Sequence, residues 1–203
     1  MAKNEAYLGD IGSIIAQSVL DRSSAMEGFR VSHDPDCSFC RKNRQIYLVD
    51  HEYEHPDPTF IKRLPASVAA LSYEQSYRGR SVVILRTHET SVNEMLKNKL
   101  LLYLAFMEDV SAVVDAITEV CRPDKINYAI YMNQNDHLHM HLIPRYVAEG
   151  DGFHEPPVFY PKTSPDPDFN YRSLALKIRG ALKQKHSPLG EYVEKIINNS
   201  LPE

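Results

Sequence analysis

The densest chemistry in the chain lies in one run, Asp136-His137-Leu138-His139-Met140-His141-Leu142-Ile143-Pro144-Arg145. Residues i, i+2 and i+4 of a strand share a face. His137, His139 and His141 therefore line one side over about 13 Å, at about 3.3 Å per residue. Leu138, Met140 and Leu142 turn the other way, toward a core. A single strand histidine is usually structural, but three in strict alternation argue for a site rather than a solvated face. Two chemistries can use such a face. Alternate histidines can converge on a zinc ion that keeps an open position for water. Alternatively, a neutral imidazole can attack phosphorus through one ring nitrogen while a hydrogen bond to the other fixes the tautomer.

These residues need a scaffold, and 203 residues at roughly 150 per domain predict one domain with extensions. A hydrophobic content of 43% is enough for a core, and 23 basic against 27 acidic residues leave a net charge of −4. That balance excludes a general nucleic-acid binder held by bulk positive charge. No apolar run approaches the roughly 18 residues that span a bilayer, so no membrane partner is expected. The stretch around Gly12 and Ala16 lacks the basic flank and long apolar run of a signal peptide. Three cysteines without such a signal point to thiols in a reducing compartment, and the expected location is cytoplasmic.

Along the chain, residues 1–35 read as an N-terminal extension with a short amphipathic helix carried by Ile11, Ile14, Ile15, Val19 and Leu20. The β-branched runs 45–50, 67–72 and 81–86 predict strands. The interval 51–64 holds Pro56 and Pro58 and predicts a surface loop, because proline cannot continue a central ladder. From 92 to 120 the apolar period becomes helical through Leu96, Leu100, Leu104, Met107, Val110, Val114 and Ile117, and Pro123 closes that helix. Strands at 126–132 and 137–145 follow, joined by the polar turn 133–136. A proline-rich loop and one or two helices, interrupted near Ser187 and Pro188, occupy 155–203. The fold class is α+β: an antiparallel sheet with one long helix over 36–154, flanked by helical N- and C-terminal extensions.

The triad of histidines, followed by two apolar residues and Pro144-Arg145, resembles the active-site motif of the histidine triad (HIT) superfamily of nucleotide hydrolases and transferases. Ile126-Asn127-Tyr128-Ala129-Ile130 resembles the strand before that motif. The block from Gly79 through Arg80 and the apolar strand to His88 resembles the family's upstream glycine, strand and histidine. Cys37-Ser38-Phe39-Cys40 resembles the Cys-x-x-Cys near the start of many members. The resemblance covers about 37 to 153. It implies a HIT-like sheet, often dimeric through the long helix and the sheet edge. The substrate it implies is a nucleotide phosphoanhydride, diadenosine polyphosphates above all, or a phosphoramidate cleaved through a nucleotidyl-histidine.

Carried over residue by residue, the resemblance makes His139 the nucleophile and His141 a phosphate contact. His137 would join Cys37, Cys40 and His88 in a zinc site, one ion per chain. Such a Cys₂His₂ set is closed and therefore structural; the simpler reading is two reduced cysteines in a loop and a turn histidine. The chain departs from the family at two places. Asn133-Gln134-Asn135 replaces an Ala-Gly-Gln whose glutamine touches phosphate, leaving Asn133 or Gln134 for that role. The acidic residue that holds the ribose falls on Ser72, with Glu74 two residues on. Arg145 and the loop Gly150-Asp151-Gly152-Phe153 are candidates to close over substrate, with a solvated arginine and a plain loop as equal readings. Tyr160, Tyr171 and the proline-rich loop either fold back over the site or tether a packing helix. Two other classes remain. One is a zinc-dependent hydrolase holding its metal with all three histidines, which strains the reach from His137 to His141. The other is a nucleotide-binding module without turnover, against which the intact triad argues.

Overall fold

Phe60–Arg63 (β1), Ser67–Leu71 (β2), Ser81–Leu85 (β3), Lys125–Ala129 (β4) and His139–Arg145 (β5) form one antiparallel sheet in the order β1-β2-β3-β5-β4. The coordinates are a computed structural model that describes residues 29–45, 55–158, 162–182 and 187–200. The described residues from Val31 onward form one compact unit. The helix expected around 11–20 lies outside the described residues. So does the strand expected at 45–50, except that Gln45 ends a helix, Ser38–Gln45 (α1).

The two central runs behave as their composition dictates. β2 is buried along its whole length, and Val83, Ile84 and Leu85 of β3 are nearly inaccessible. Across β3 and β5, Val82 pairs with His141 and Ile84 with His139. Leu138, Met140 and Leu142 are buried on the opposite face, as the alternation requires. β1 corrects the loop expected over 51–64. Pro56 and Pro58 precede it, and Phe60 and Ile61 bury their side chains on an edge strand whose register shifts between Phe60 and Lys62.

The helix expected as one piece over 92–120 is two, Val92–Asn98 (α2) and Leu100–Cys121 (α3), because the backbone leaves the helical region at Lys99 (φ −142°, ψ 44°). Ser91 caps α2 by accepting from the Glu94 amide. The break resets the phase, so Met95 is buried and Leu96 is 43% exposed. The buried stripe of α3 runs through Leu102, Phe106, Val110, Val113 and Ile117. Arg122 ends α3 in the left-handed region (φ 53°), donating its amide to Thr118. The hairpin strands are shorter than expected, and residues 130–138 connect them in place of the tight turn 133–136.

Helices Tyr171–Ala181 (α4) and Pro188–Ser200 (α5) break near Ser187 as the sequence predicts. Leu174 and Ile178 of α4 are buried, and Arg179 donates to the carbonyls of Phe60 and Ile61. Helix α4 thus holds the β1 edge, and both C-terminal helices pack on α3. No described helix is long and apolar enough to cross a membrane.

Candidate active site

Three chain segments meet at the start of β5. Cys37 immediately precedes α1 and Cys40 lies in its first turn, His88 follows β3, and His137 stands just before β5. The His88 amide donates to the Ser32 carbonyl at 2.8 Å, tying the residue to the segment leading into Cys37. His137 Nδ1 is 3.5 Å from the Sγ atoms of both Cys37 and Cys40, and His88 Nδ1 is 3.5 Å from Cys40 Sγ. All four ligand atoms lie within 4.8 Å of one another. His137 Nε2 is 2.7 Å from the Leu85 carbonyl. A carbonyl only accepts, so Nε2 carries the proton and the Nδ1 lone pair faces the sulfurs. Tetrahedral bonds of about 2.3 Å to sulfur and about 2.0–2.1 Å to nitrogen give a sulfur–nitrogen edge of about 3.5 Å. The four residues fit a zinc ion, with no position left open.

The next histidine is held by the same logic with the opposite outcome. His139 Nδ1 donates to the His137 carbonyl at 2.7 Å, so its lone pair is on Nε2. Burial lowers the His139 pKa, against that hydrogen bond, and pushes His137 and His141 down to about 4. For His141 the charges of His139 and Arg80 add to the effect of burial. The imidazoles are therefore neutral near pH 7. Phe39, between the two cysteines, sets its ring edge-on to His139 at 5.0 Å and to His137 at 5.7 Å. The His139 and His141 rings are 4.9 Å apart, and Tyr131 tilts over His141 at 5.5 Å.

His139 and His141 open on a cavity of 310 Å³, at the lower end of the roughly 300–1,000 Å³ of small-molecule sites. Ser72, Glu74, Asn133 and Gln134 all line it, so four of the five candidate substrate contacts read from the sequence converge there. His137 lies behind the wall, turned to the cysteines.

No family sequence model matches the chain, and no curated protein does. In structure it is similar to a HIT-like protein involved in cell-cycle regulation from Bartonella henselae, with a TM-score of 0.53 and 17% identity over 74% of this chain and 99% of that one. It is similar to a histidine triad protein from Bradyrhizobium japonicum, with a TM-score of 0.50 and 22% identity over 61% of this chain and 89% of that one. The fold is that of the histidine triad proteins. A zinc-bound histidine triad family protein from Mycobacterium smegmatis is also similar, with a TM-score of 0.49 and 21% identity over 72% of this chain and 93% of that one.

Within this histidine triad fold two expected residues stand elsewhere. Arg145 is 1% exposed, and its guanidinium donates to Glu149, Asn127 and the carbonyls of Gly152 and Glu155. It pins the 3₁₀ segment Val147–His154 and does not line the cavity. Tyr171 is buried and donates its hydroxyl to the Tyr73 carbonyl, while Tyr160 lies outside the described residues.

Other residues enter the site unannounced. Lys42, Arg80, Tyr131 and Lys162 line the cavity. Arg80 had a legible signal: just before β3, it alternates with Val82 and Ile84, which oppose the histidines of β5. Lys162 had none, because a loop far along the chain delivers it.

Proposed function

We propose that the chain is a nucleotide hydrolase or transferase that works through a nucleotidyl-histidine at His139. The carrying observation is the 2.7 Å hydrogen bond from His139 Nδ1 to the His137 carbonyl, which leaves the Nε2 lone pair available in a cavity of nucleotide size. In the first step Nε2 bonds to the α-phosphorus and the bond to the leaving group breaks. The leaving group takes the electron pair and collects a proton from water. The imidazolium so formed keeps its proton on Nδ1, donated to the His137 carbonyl, which stabilises the charge. In the second step water or phosphate attacks the phosphorus, the P–N pair returns to Nε2, and the attacking group's proton goes to solvent.

His141 contacts the reacting phosphate in this reading, and Asn133, Gln134 and Ser72 hold the rest of the nucleotide. Dinucleoside polyphosphates such as diadenosine polyphosphates are the substrate class, and phosphoramidates the second. Cys37, Cys40, His88 and His137 would hold one structural zinc, supplying folding energy and a fixed start to β5. Their geometry argues against a catalytic zinc shared by the three histidines. His137 spends Nδ1 on the cysteines and Nε2 on Leu85, and His139 Nδ1 faces the His137 carbonyl. The triad domain of the proposal spans 36–154 and acts in the cytoplasm. It pairs with a second copy through the β4 edge, where Tyr128 is 54% exposed.

A turnover panel of dinucleoside polyphosphates, nucleoside phosphoramidates and nucleotide sugars tests the reading, with His139→Ala as control. Turnover that vanishes in the variant supports it. Nucleotide binding with no turnover of any compound would leave a silent binding module instead.

A further inference from the structure

Three cations line the cavity, and they differ in how far they are removed from water. Side-chain exposure is 37% for Lys42 and 45% for Lys162, against 5% for Arg80. A charge at the rim is screened by solvent, whereas one in a water-poor wall keeps most of its field. Arg80 also occupies a defined place. It stands one row beyond Val82, which pairs with His141, and Ile84 in turn pairs with His139. The nucleophile, the second histidine and the arginine therefore follow one another along one face of the sheet.

The guanidinium is held in advance. Arg80 Nη1 donates to Glu74 Oε2 at 2.7 Å, and Glu74 Oε1 accepts the Ser76 amide at 2.7 Å. The turn between them is laced by Gln75, whose amide donates to the carbonyls of Ser72 and Arg80 and whose oxygen accepts from the Gly79 amide. Gly79 itself sits at φ +86°, with Cys121 Sγ 2.7 Å from where a Cβ would be, so no larger residue fits ahead of Arg80. A guanidinium presents five donors in a planar fork, enough for one arginine to hold a carboxylate and a phosphate oxygen together.

We infer that Arg80 is the charged phosphate ligand of this site, and that Glu74 is the positioning residue that aims it. The inference rests on the nucleotide reading above and adds to it the residue that supplies positive charge. A developing phosphate charge on this face needs a cation, and Arg80 is the buried one on the cavity wall, one row beyond the pair of Val82 with His141. Glu74 consequently serves the arginine and not the ribose.

The test compares affinities for AMP and for adenosine by calorimetry in wild type, Arg80→Met and the double variant Arg80→Met/Glu74→Gln. The double variant removes both buried charges, so it stays informative where Arg80→Met alone strands Glu74 and fails to fold. Wild type should bind AMP more tightly than adenosine. The variants should lose about 10- to 100-fold in AMP affinity, the size of a charge-assisted hydrogen bond, and almost nothing in adenosine affinity. Glu74→Gln alone, which keeps an acceptor for Arg80, should retain most of the AMP preference and lower kcat more than it raises KM. An unchanged AMP-to-adenosine ratio in the double variant overturns the inference, as does a wild type without that preference. Wild type that prefers AMP but turns over no phosphoanhydride or phosphoramidate would overturn the proposed reaction and leave Arg80's role standing.

Discussion

His137 and His139 are joined by a bond that couples two sites: the His137 carbonyl accepts the His139 Nδ1 proton at 2.7 Å, while the His137 ring turns its own Nδ1 to the two cysteines at 3.5 Å. In the proposed reading one residue is thus a zinc ligand by its side chain and orients the nucleophile by its backbone. Whatever fixes the ring fixes the carbonyl.

Metal removal should therefore slow turnover without ending it. Protein purified without chelators should carry about one zinc per chain, and Cys40→Ser should lose it together with several kcal/mol of stability. Folded but stripped protein should keep measurable turnover, lowered by about 10- to 100-fold, as for other disturbed supports of a site. Elemental analysis beside a rate measurement checks this. A zinc content of zero, or an unchanged rate after stripping, contradicts it.

His139→Ala should lower kcat by at least about 10³-fold, since loss of a nucleophile removes the covalent route. The fold should survive, because the ring faces the cavity. Mass spectrometry of rapidly quenched wild type should find the nucleotidyl adduct on His139. An adduct on His141 would assign the roles wrongly.

Legibility followed the reach of each physical signal. The period of two in β5 was sufficient to separate His139 and His141 from Leu138, Met140 and Leu142. The break between α2 and α3 was invisible, because Lys99 is an ordinary helix former. β1 hid behind two prolines, and four residues are too few to show a period. Lys162 reaches the cavity on a distant loop, which local composition does not encode, whereas the alternation of Arg80 with Val82 and Ile84 was there to be read.

Asp109 on α3 accepts from the Ala66 amide at 2.9 Å and the Ser67 hydroxyl at 2.8 Å, and burial raises its pKa to about 7 in spite of them. The folded state therefore favours the protonated acid. Its contribution to stability is full below the ordinary pKa of 3.8 and is lost as pH rises toward about 7. Asp109→Asn cannot titrate, so its stability relative to wild type should improve by a few kcal/mol between about pH 4 and pH 8. Zinc loss at low pH affects both proteins alike and cancels in the difference. Parallel denaturation curves across that range would refute the assignment.

Deleting the chain beyond Pro156 should unfold the protein rather than uncover the site. Arg86 donates to the Pro65 carbonyl and to Asn198 of α5, and Arg179 holds β1 through the carbonyls of Phe60 and Ile61. Lys162→Ala is the separable test of a substrate-facing role for this region. It should raise KM for dinucleoside polyphosphates a few-fold and leave the melting temperature unchanged. A loss of stability equal to that of the deletion would make the loop purely structural.

Tyr131 tilts over His141 at the cavity wall, 46% exposed, in a chain with no tryptophan. Tyr131→Trp would place the only indole of the protein beside the reacting phosphate, free of any background at its emission wavelength. Ligand entry, adduct formation and release would each change the solvent around that indole. The successive stages of a turnover would then be readable as intensity against time in a stopped-flow trace, without a label on the nucleotide.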